Sequence, residues 1–272
     1  ENQLSIKKDL SSVQDAGDYV IVRDIECVDA DGNIFEKHDE LWVPKSVELS
    51  EKIDANGNKE LKFFTTHEAI LYFEEKGNDW FLPSAALTLN FLLKIFYAAV
   101  EKEDNYNYTT INEEFKKVLD KYYYVADGYS GMHVQNSIVD YDASEIIHYP
   151  EKIIFRHSSR SFDVNPNRNS VKFKFDKSGF DDCYLYQDLE YENIEHFVRQ
   201  FTGAKEPEEL IELGEYYATL SGMNTETGLW VREYLNNMCG SLVGTSHDRH
   251  GFVIVANNNL VSGYAAGGVQ SK

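Results

Sequence analysis

The chain has 272 residues and a formal net charge of −20, from 46 Asp and Glu against 26 Lys and Arg. A chain of this length folds as one large domain or two small ones and buries enough surface to need no disulfide or metal. So acidic a surface opposes binding to a phosphate backbone, where affinity comes from basic groups that release counterions; nucleic acid is therefore not expected as a partner, and basic or neutral partners are favoured.

The three cysteines, Cys27, Cys183 and Cys239, are odd in number and show no C-x-x-C spacing, so neither a disulfide framework nor a zinc site is signalled. With 18 Tyr and 16 Phe, aromatic packing should dominate the core. No signal peptide is visible, and the chain begins with Glu1 rather than Met, which leaves removal of a leader and a secreted or cell-surface location open.

Residues 18–43 read as a β-hairpin. Tyr19, Ile21 and Arg23 alternate with Val20, Val22 and Asp24, and a second mixed run covers Ile34 to Val43. Asp29-Ala30-Asp31-Gly32-Asn33 between them is turn chemistry, because Gly and Asn tolerate positive φ and Asp bonds its own backbone. Asp29, Asp31 and Asn33 alternate as calcium-loop ligands do, with Glu40 at the twelfth place. The glycine stands at the fourth place rather than the sixth, however, and strands rather than helices should flank the loop, so calcium is not expected. Asp54-Ala55-Asn56-Gly57-Asn58 repeats the turn and leads into a strand from Lys59 to Phe64.

The pattern then becomes helical. Thr65-Thr66-His67-Glu68 is a capping box, Ala69, Ile70 and Phe73 follow at helical spacing, and Gly77 is a stop. A second helix should start at Pro83 or Ser84. Its body, Ala85 to Val100, is apolar nearly all round, too short and too interrupted to span a membrane, and suited to a buried core. Thr110-Ile111-Asn112-Glu113 is a further capping box, with Ile111, Phe115, Val118, Leu119 and Tyr122 on one face of the helix it opens.

From Tyr123 to Pro150 loops and short strands are expected. Ile153 to Phe155 and Val171 to Phe175 read as strands, and 158–170 as an exposed loop. Residues 192–202 read as a helix, followed by another starting near Pro207 and running through Leu213. With no linker and no internal repeat, the expectation is one α+β domain over 1–272: a hairpin elaboration over 1–64, then a helical and β scaffold over 65–227.

The C-terminal residues, 228–272, differ in composition. From Tyr234 to Val269 there is no Lys, Glu, Gln or Trp and one Met, Met238. One reading is a small-residue-rich β-meander with Gly and Asn as ordinary turn residues. His247-Asp248-Arg249-His250 invites a metal site, but no third ligand is apparent and the apolar run after Gly251 argues for a strand or hairpin. Cys239 with His247 and Asp248 suggests a thiol nucleophile, yet no third group is evident to orient the pair. No catalytic residue, metal or cofactor is assigned.

Two stretches carry a resemblance. Ala69 and Tyr72 in a helix, a glycine, then Trp80-Phe81-Leu82-Pro83-Ser84 opening another helix is similar to the "helix, Gly-x-Arg-Leu-Pro-Thr, helix" core of prokaryotic C-type-lectin-fold proteins. The match covers 35 residues or so. Phe81 replaces the usual Arg, Leu87 stands where a capping Glu is usual, and the lectin calcium motifs are absent.

The segment from Tyr234 onward resembles the C-terminal region of variable proteins of diversity-generating retroelements, archaeal members among them. Error-prone, adenine-directed copying there turns AAC-type codons into many residue types but not into Lys, Glu, Gln, Met or Trp. Met238 departs from that set.

The resemblance implies a C-type-lectin-like fold, with two central helices, a small mostly antiparallel sheet and the N-terminal hairpin elaboration, and 228–272 as the variable region. It implies a binding module that recognises a protein or cell-surface ligand without a cofactor. The contact residues would be Asn236, Asn237, Cys239, Leu242, Val243, His247, Asp248, Arg249, His250, Asn257 and Asn258. Tyr, Asn, Ser, Gly, His and Arg suit such a surface, giving adaptable contacts at low entropic cost. The alternatives are an enzyme on a scaffold like the formylglycine-generating type, using Cys239, and a structural or virion assembly protein.

Overall fold

The N-terminal hairpin forms as its alternation requires. In the structure, a computed structural model, β1 (Val13–Ala16), β2 (Tyr19–Val28) and β3 (Ile34–Pro44) make an antiparallel ribbon, with Val13 opposite Val22, Tyr19 opposite Pro44 and Val28 opposite Ile34. The structure describes residues 12–29, 31–46, 48, 50–53, 55–62, 64, 66–77, 79–104, 107–123, 132–133, 137–140, 145–148, 171–174, 183–185, 203, 205, 212–213, 216, 228–230, 238–239, 242–245, 252–255 and 265–272. In the β2–β3 turn the Asp29 carboxylate accepts from the amides of Asp31 at 3.0 Å and Asn33 at 2.8 Å, and Gly32 takes φ +84°. Strands flank this loop, so it is a hairpin turn whose Asp serves the backbone.

A second, smaller hairpin follows, β4 (Ser50–Ile53) with β5 (Lys59–Lys62). The expected strand after the Asn56-Gly57 turn is present, and its partner β4 is an addition to the sequence reading. Helix α1 (Thr66–Lys76) ends at Gly77, which takes φ +138° and whose amide donates to the Glu74 carbonyl. Thr65 of the expected capping box lies outside the described residues.

After the short strand β6 (Trp80–Phe81), α2 (Ala85–Ala99) starts where Ser84 predicts. The Ser84 hydroxyl accepts the Leu87 amide at 3.0 Å, satisfying one of the helix's orphan donors. Leu87, Leu89, Phe91, Leu92, Ile95 and Phe96 are all buried, as are Thr88 and Asn90. Burying each large apolar side chain contributes about 1.5–3 kcal/mol, which makes α2 the centre of the core. It packs against β1, β2 and the third helix, α3 (Glu113–Tyr123), across the hairpin of β7 (Val100–Asp104) and β8 (Asn107–Thr110).

The cap of α3 corrects the sequence reading. Asn112, not Thr110, accepts the amides of Glu114 at 2.9 Å and Phe115 at 3.2 Å. Thr110 is taken up by the β7–β8 ladder opposite Val100, and the amides of Ile111 and Asn112 donate to the Ala99 carbonyl. Ile111 therefore stands outside the helix and 52% exposed, while Phe115, Val118, Leu119 and Tyr122 form the buried face as expected.

The remaining strands are β9 (Met132–His133), β10 (Ser137–Asp140), β11 (Glu145–His148), β12 (Val171–Lys174), β13 (Cys183–Leu185), β14 (Gly228–Trp230), β15 (Met238–Cys239), β16 (Leu242–Thr245), β17 (Phe252–Val255), β18 (Ala265–Ala266) and β19 (Val269–Ser271). They build a four-stranded sheet, β12-β11-β10-β15, and a six-stranded one, β13-β14-β17-β16-β9-β18. Pairing is antiparallel except at β14–β17 and β18–β9 among the described residues. The chain is an α+β protein, with more sheet than the one small sheet expected. The strand at 171–175 is present as β12; the strand at 153–155, the loop at 158–170 and the helix at 192–202 lie outside the described residues. Of the helix expected after Pro207, Glu212, Leu213 and Tyr216 are helical.

The last strand determines how the chain closes. β19 lies between β3 and β6, with Gln270 opposite both Trp42 and Trp80, so the N-terminal sheet has the order β1-β2-β3-β19-β6.

Candidate recognition surface

The candidate surface is the stretch 228–272, and the structure shows how its two ends are held. At its start, β14 pairs with β13 on one side and, in parallel, with β17 on the other, Gly228 opposite Val253 and Trp230 opposite Val255. In its middle, the apolar run after Gly251 forms strand β17, one of the expected outcomes, and pairs antiparallel with β16, Leu242 opposite Val255 and Thr245 opposite Phe252. β16 packs against α2 and α3.

Of the residues expected to make contacts, three fall in described strands. Cys239 lies in β15 opposite Ile138, Leu242 lies in β16 between Val255 and His133, and Val243 between Ile254 and Met132. Asn236, Asn237, His247, Asp248, Arg249, His250, Asn257 and Asn258 lie outside the described residues. The structure thus places Leu242 and Val243 in the six-stranded sheet and Cys239 in the four-stranded one.

The end of the segment is tied to the opposite end of the chain. Val269 is fully buried, the Ser271 amide donates to the Asp79 carbonyl at 3.0 Å, and the Lys272 amide to the Glu40 carbonyl at 3.1 Å. Side chains add a relay. His38 Nδ1 lies 3.1 Å from the Ser271 hydroxyl, His38 Nε2 lies 3.1 Å from Glu36 Oε1, and Ser84 donates to Glu36 Oε2 at 3.3 Å. The imidazole stacks on Phe81, ring centroids 5.5 Å apart and planes within 19°.

Ser271, His38 and Glu36 are in the order of a hydrolytic triad. Such chemistry also needs backbone donors aimed at a developing oxyanion. The amides of Ser271 and Lys272 both donate to other backbone carbonyls, those of Asp79 and Glu40, so the relay joins the end of the chain to β3 and to the first turn of α2 as an anchor.

The sequence reading missed this cluster. Ser271 and His38 are 233 residues apart, and nothing local marks either. It also missed Lys121, whose ammonium is buried and donates to the Pro44 carbonyl at 2.7 Å. Burial brings this amine down to about 7, against the weaker opposing pull of the Glu48 charge. Cys27, the cysteine whose surroundings are described, is fully buried 3.5 Å from the Asn90 side-chain amide. Burial, with the nearby Glu36 charge, pushes its thiol well above the ordinary range, and this suits a core residue rather than a nucleophile.

Comparison with protein-family models, with curated proteins and with solved structures finds no match to this chain.

Proposed function

We propose that the protein is a binding module with a C-type-lectin-like fold, a variable protein of the diversity-generating-retroelement kind, whose 228–272 segment carries the recognition surface for a protein or cell-surface ligand. The observation that carries the reading is the closure of that segment into the scaffold at both ends: β14 enters the six-stranded sheet, and β19 is inserted between β3 and β6. A surface that changes from copy to copy has to be borne by elements that do not change, and rigid strands and packed helices supply them. The helix, Leu82-Pro83 turn and helix order supports it further: Leu82 and Pro83 are buried between α1 and α2, and Ser84 caps the second helix. The absence of Lys, Glu, Gln and Trp from Tyr234 to Val269 fits the same reading.

Randomising Asn236, Asn237, Cys239, Leu242, Val243, His247 to His250, Asn257 and Asn258 over the residues that AAC codons reach tests it. Most library members should keep the parental circular dichroism and melting cooperativity, and selection should yield members with distinct ligands. A library in which most members unfold, as substitutions at Phe91 or Leu92 would make them, refutes the reading. In the genome, the reading also requires a near-copy of the 228–272 coding sequence, differing only at adenines, beside a reverse transcriptase gene.

A further inference from the structure

The end of α1 builds a feature that the recognition reading does not use. Tyr72 and Lys76 are one helical turn apart and so lie on the same face, with Phe73 beside them. Gly77 then turns the chain back, and the Trp80 amide donates to the Gly77 carbonyl at 3.1 Å. This brings the Trp80 ring to 6.3 Å from that of Phe73, nearly parallel to it, while Tyr72 meets Phe73 edge-on at 5.1 Å. The Lys76 ammonium sits among the three, 4.9 Å from the Tyr72 centroid, 5.5 Å from that of Phe73 and 4.8 Å from that of Trp80, and it is ion-paired with Glu48. The aromatic ledge continues through Tyr19 to Trp42, over whose ring the Lys272 ammonium stands at 3.9 Å.

Three ring faces around one cation, with a carboxylate at the rim, is the chemistry that selects alkylammonium groups. The rings attract positive charge through their quadrupoles and need no directional donor in return. Two of the chain's own ammonium groups already occupy the ledge. Lys76 is exposed, Tyr72 and Trp80 are half-buried and Phe73 is fully buried, so the cage opens to solvent at its Tyr72 and Trp80 walls, with Phe73 as its floor. The net charge of −20 raises the local concentration of cations around it.

We propose that Tyr72, Phe73, Trp80 and Glu48 form a binding site for an alkylammonium ligand, best a quaternary one, and that Lys76 occupies the site until the ligand displaces it. A quaternary ammonium is weakly hydrated, donates no hydrogen bond and fills the space between the rings better than the slender lysine terminus does. Lys76 holds on through cation–π contacts to the three rings, partly exposed, and one part-exposed ion pair, so its removal should strengthen binding about tenfold. The site stands on α1, β6 and Glu48 and is independent of the reading of 228–272.

The test is titration of the full chain and of Lys76→Ala with tetramethylammonium, followed by indole fluorescence and by the Trp80 indole N–H resonance, with 3,3-dimethylbutanol as the uncharged isostere. The expected result is saturable binding to Lys76→Ala about tenfold tighter than to the parent, shifted Trp80 resonances, no response to the alcohol, and loss of binding in Lys76→Ala/Trp80→Ala. Equal affinity of parent and Lys76→Ala, equal response to the alcohol, or binding that survives the loss of Trp80 would each overturn it. The Trp80 resonance of the unmodified protein at high tetramethylammonium supplies a reading that depends on no variant's folding: no shift there beyond that caused by equal sodium chloride also overturns it. Comparing tetramethylammonium with N-acetyl-trimethyllysine methylamide assigns the source. Tighter binding of the amide points to a modified lysine side chain, and otherwise the ligand is a free quaternary ammonium; either outcome upholds the site.

Discussion

Gly268 lies directly against the ring of Phe73: a β-carbon built on Gly268 would stand 2.1 Å from Phe73 Cδ1 and Cε1. Phe73 is fully buried at the heart of the cluster formed by Phe64, Ala69, Ile70 and Leu82, so its ring has no free space to retreat into. The approach of β19 to α1 therefore depends on the absence of a side chain at the residue before it. Gly268→Ala should destabilise the protein by about 1–3 kcal/mol, as overpacking of a core does. Urea unfolding measures this, and Gly268→Ala/Phe73→Leu should cost less than the sum of the two single changes, because the smaller side chain makes room. Additive costs would show that the two residues do not meet.

The relay from Ser271 through His38 to Glu36 makes a second prediction about the same anchor. His38→Ala and Ser271→Ala share one hydrogen bond, so their effects on stability should be non-additive by about 0.5–1.5 kcal/mol in a double-mutant cycle. Amide hydrogen exchange at Gln270 and Ser271 should quicken in both single variants. A coupling energy of zero would remove the relay from the account of how the chain closes.

The cap of α3 is tested by two alanines. Asn112→Ala removes the acceptor of the Glu114 and Phe115 amides and should cost about 1 kcal/mol. Thr110→Ala removes no cap and should cost less. The reverse order would restore the capping box that the sequence suggests.

Lys121 gives a pH dependence whose sign follows from its burial. Folding lowers this amine from its ordinary 10.5 to about 7. Between those values the unfolded chain holds a proton that the folded chain has released, so stability rises with pH across that window. Below pH 7 both states are charged and the full cost of burying the ammonium is borne. The difference in unfolding free energy between parent and Lys121→Met should therefore change between pH 7 and 10.5, by up to about 5 kcal/mol, with the parent gaining as pH rises. A flat difference would mean that the buried ammonium titrates alike in both states. Lys121→Met also strands the Pro44 carbonyl, an offset of about 1–3 kcal/mol that does not vary with pH.

Tyr122, next in the chain, predicts the opposite kind of outcome. Its ring is buried against Phe91, and its buried hydroxyl makes no hydrogen bond among the described residues. Tyr122→Phe should be neutral or stabilising by about 1 kcal/mol, since it removes a desolvated polar group and keeps the ring. Thermal melts would show a loss of stability if the hydroxyl had a partner.

The features legible in the sequence are those with short-range causes. The Asp29 to Asn33 turn, the stop at Gly77, the Ser84 cap and the burial of α2 all depend on residues within one or two turns of one another, and each stands where the pattern places it. The same logic misplaced the cap of α3, because Thr110 has the right chemistry but is already held by β7, a partner that no local pattern reveals. Near the candidate contact residues, the apolar run after Gly251 marked a strand or hairpin, and the structure places β17 there with β16 as its partner. Sequence pattern gave no sign that Cys239 enters a different sheet from Leu242 and Val243, since strand order depends on which distant edge is free to pair.

By itself, then, the sequence determined an acidic α+β chain, a hairpin at its start, a buried central helix and a C-terminal segment of unusual composition. These follow from residue chemistry acting over a few positions along the backbone. Only the tertiary structure decided that the end of the chain returns to its beginning, with β19 between β3 and β6, Ser271 beside His38 and Gly268 under Phe73. Contacts across more than 200 residues of chain are selected by the packing of the whole core, and the residues that make them are ordinary in their own neighbourhoods.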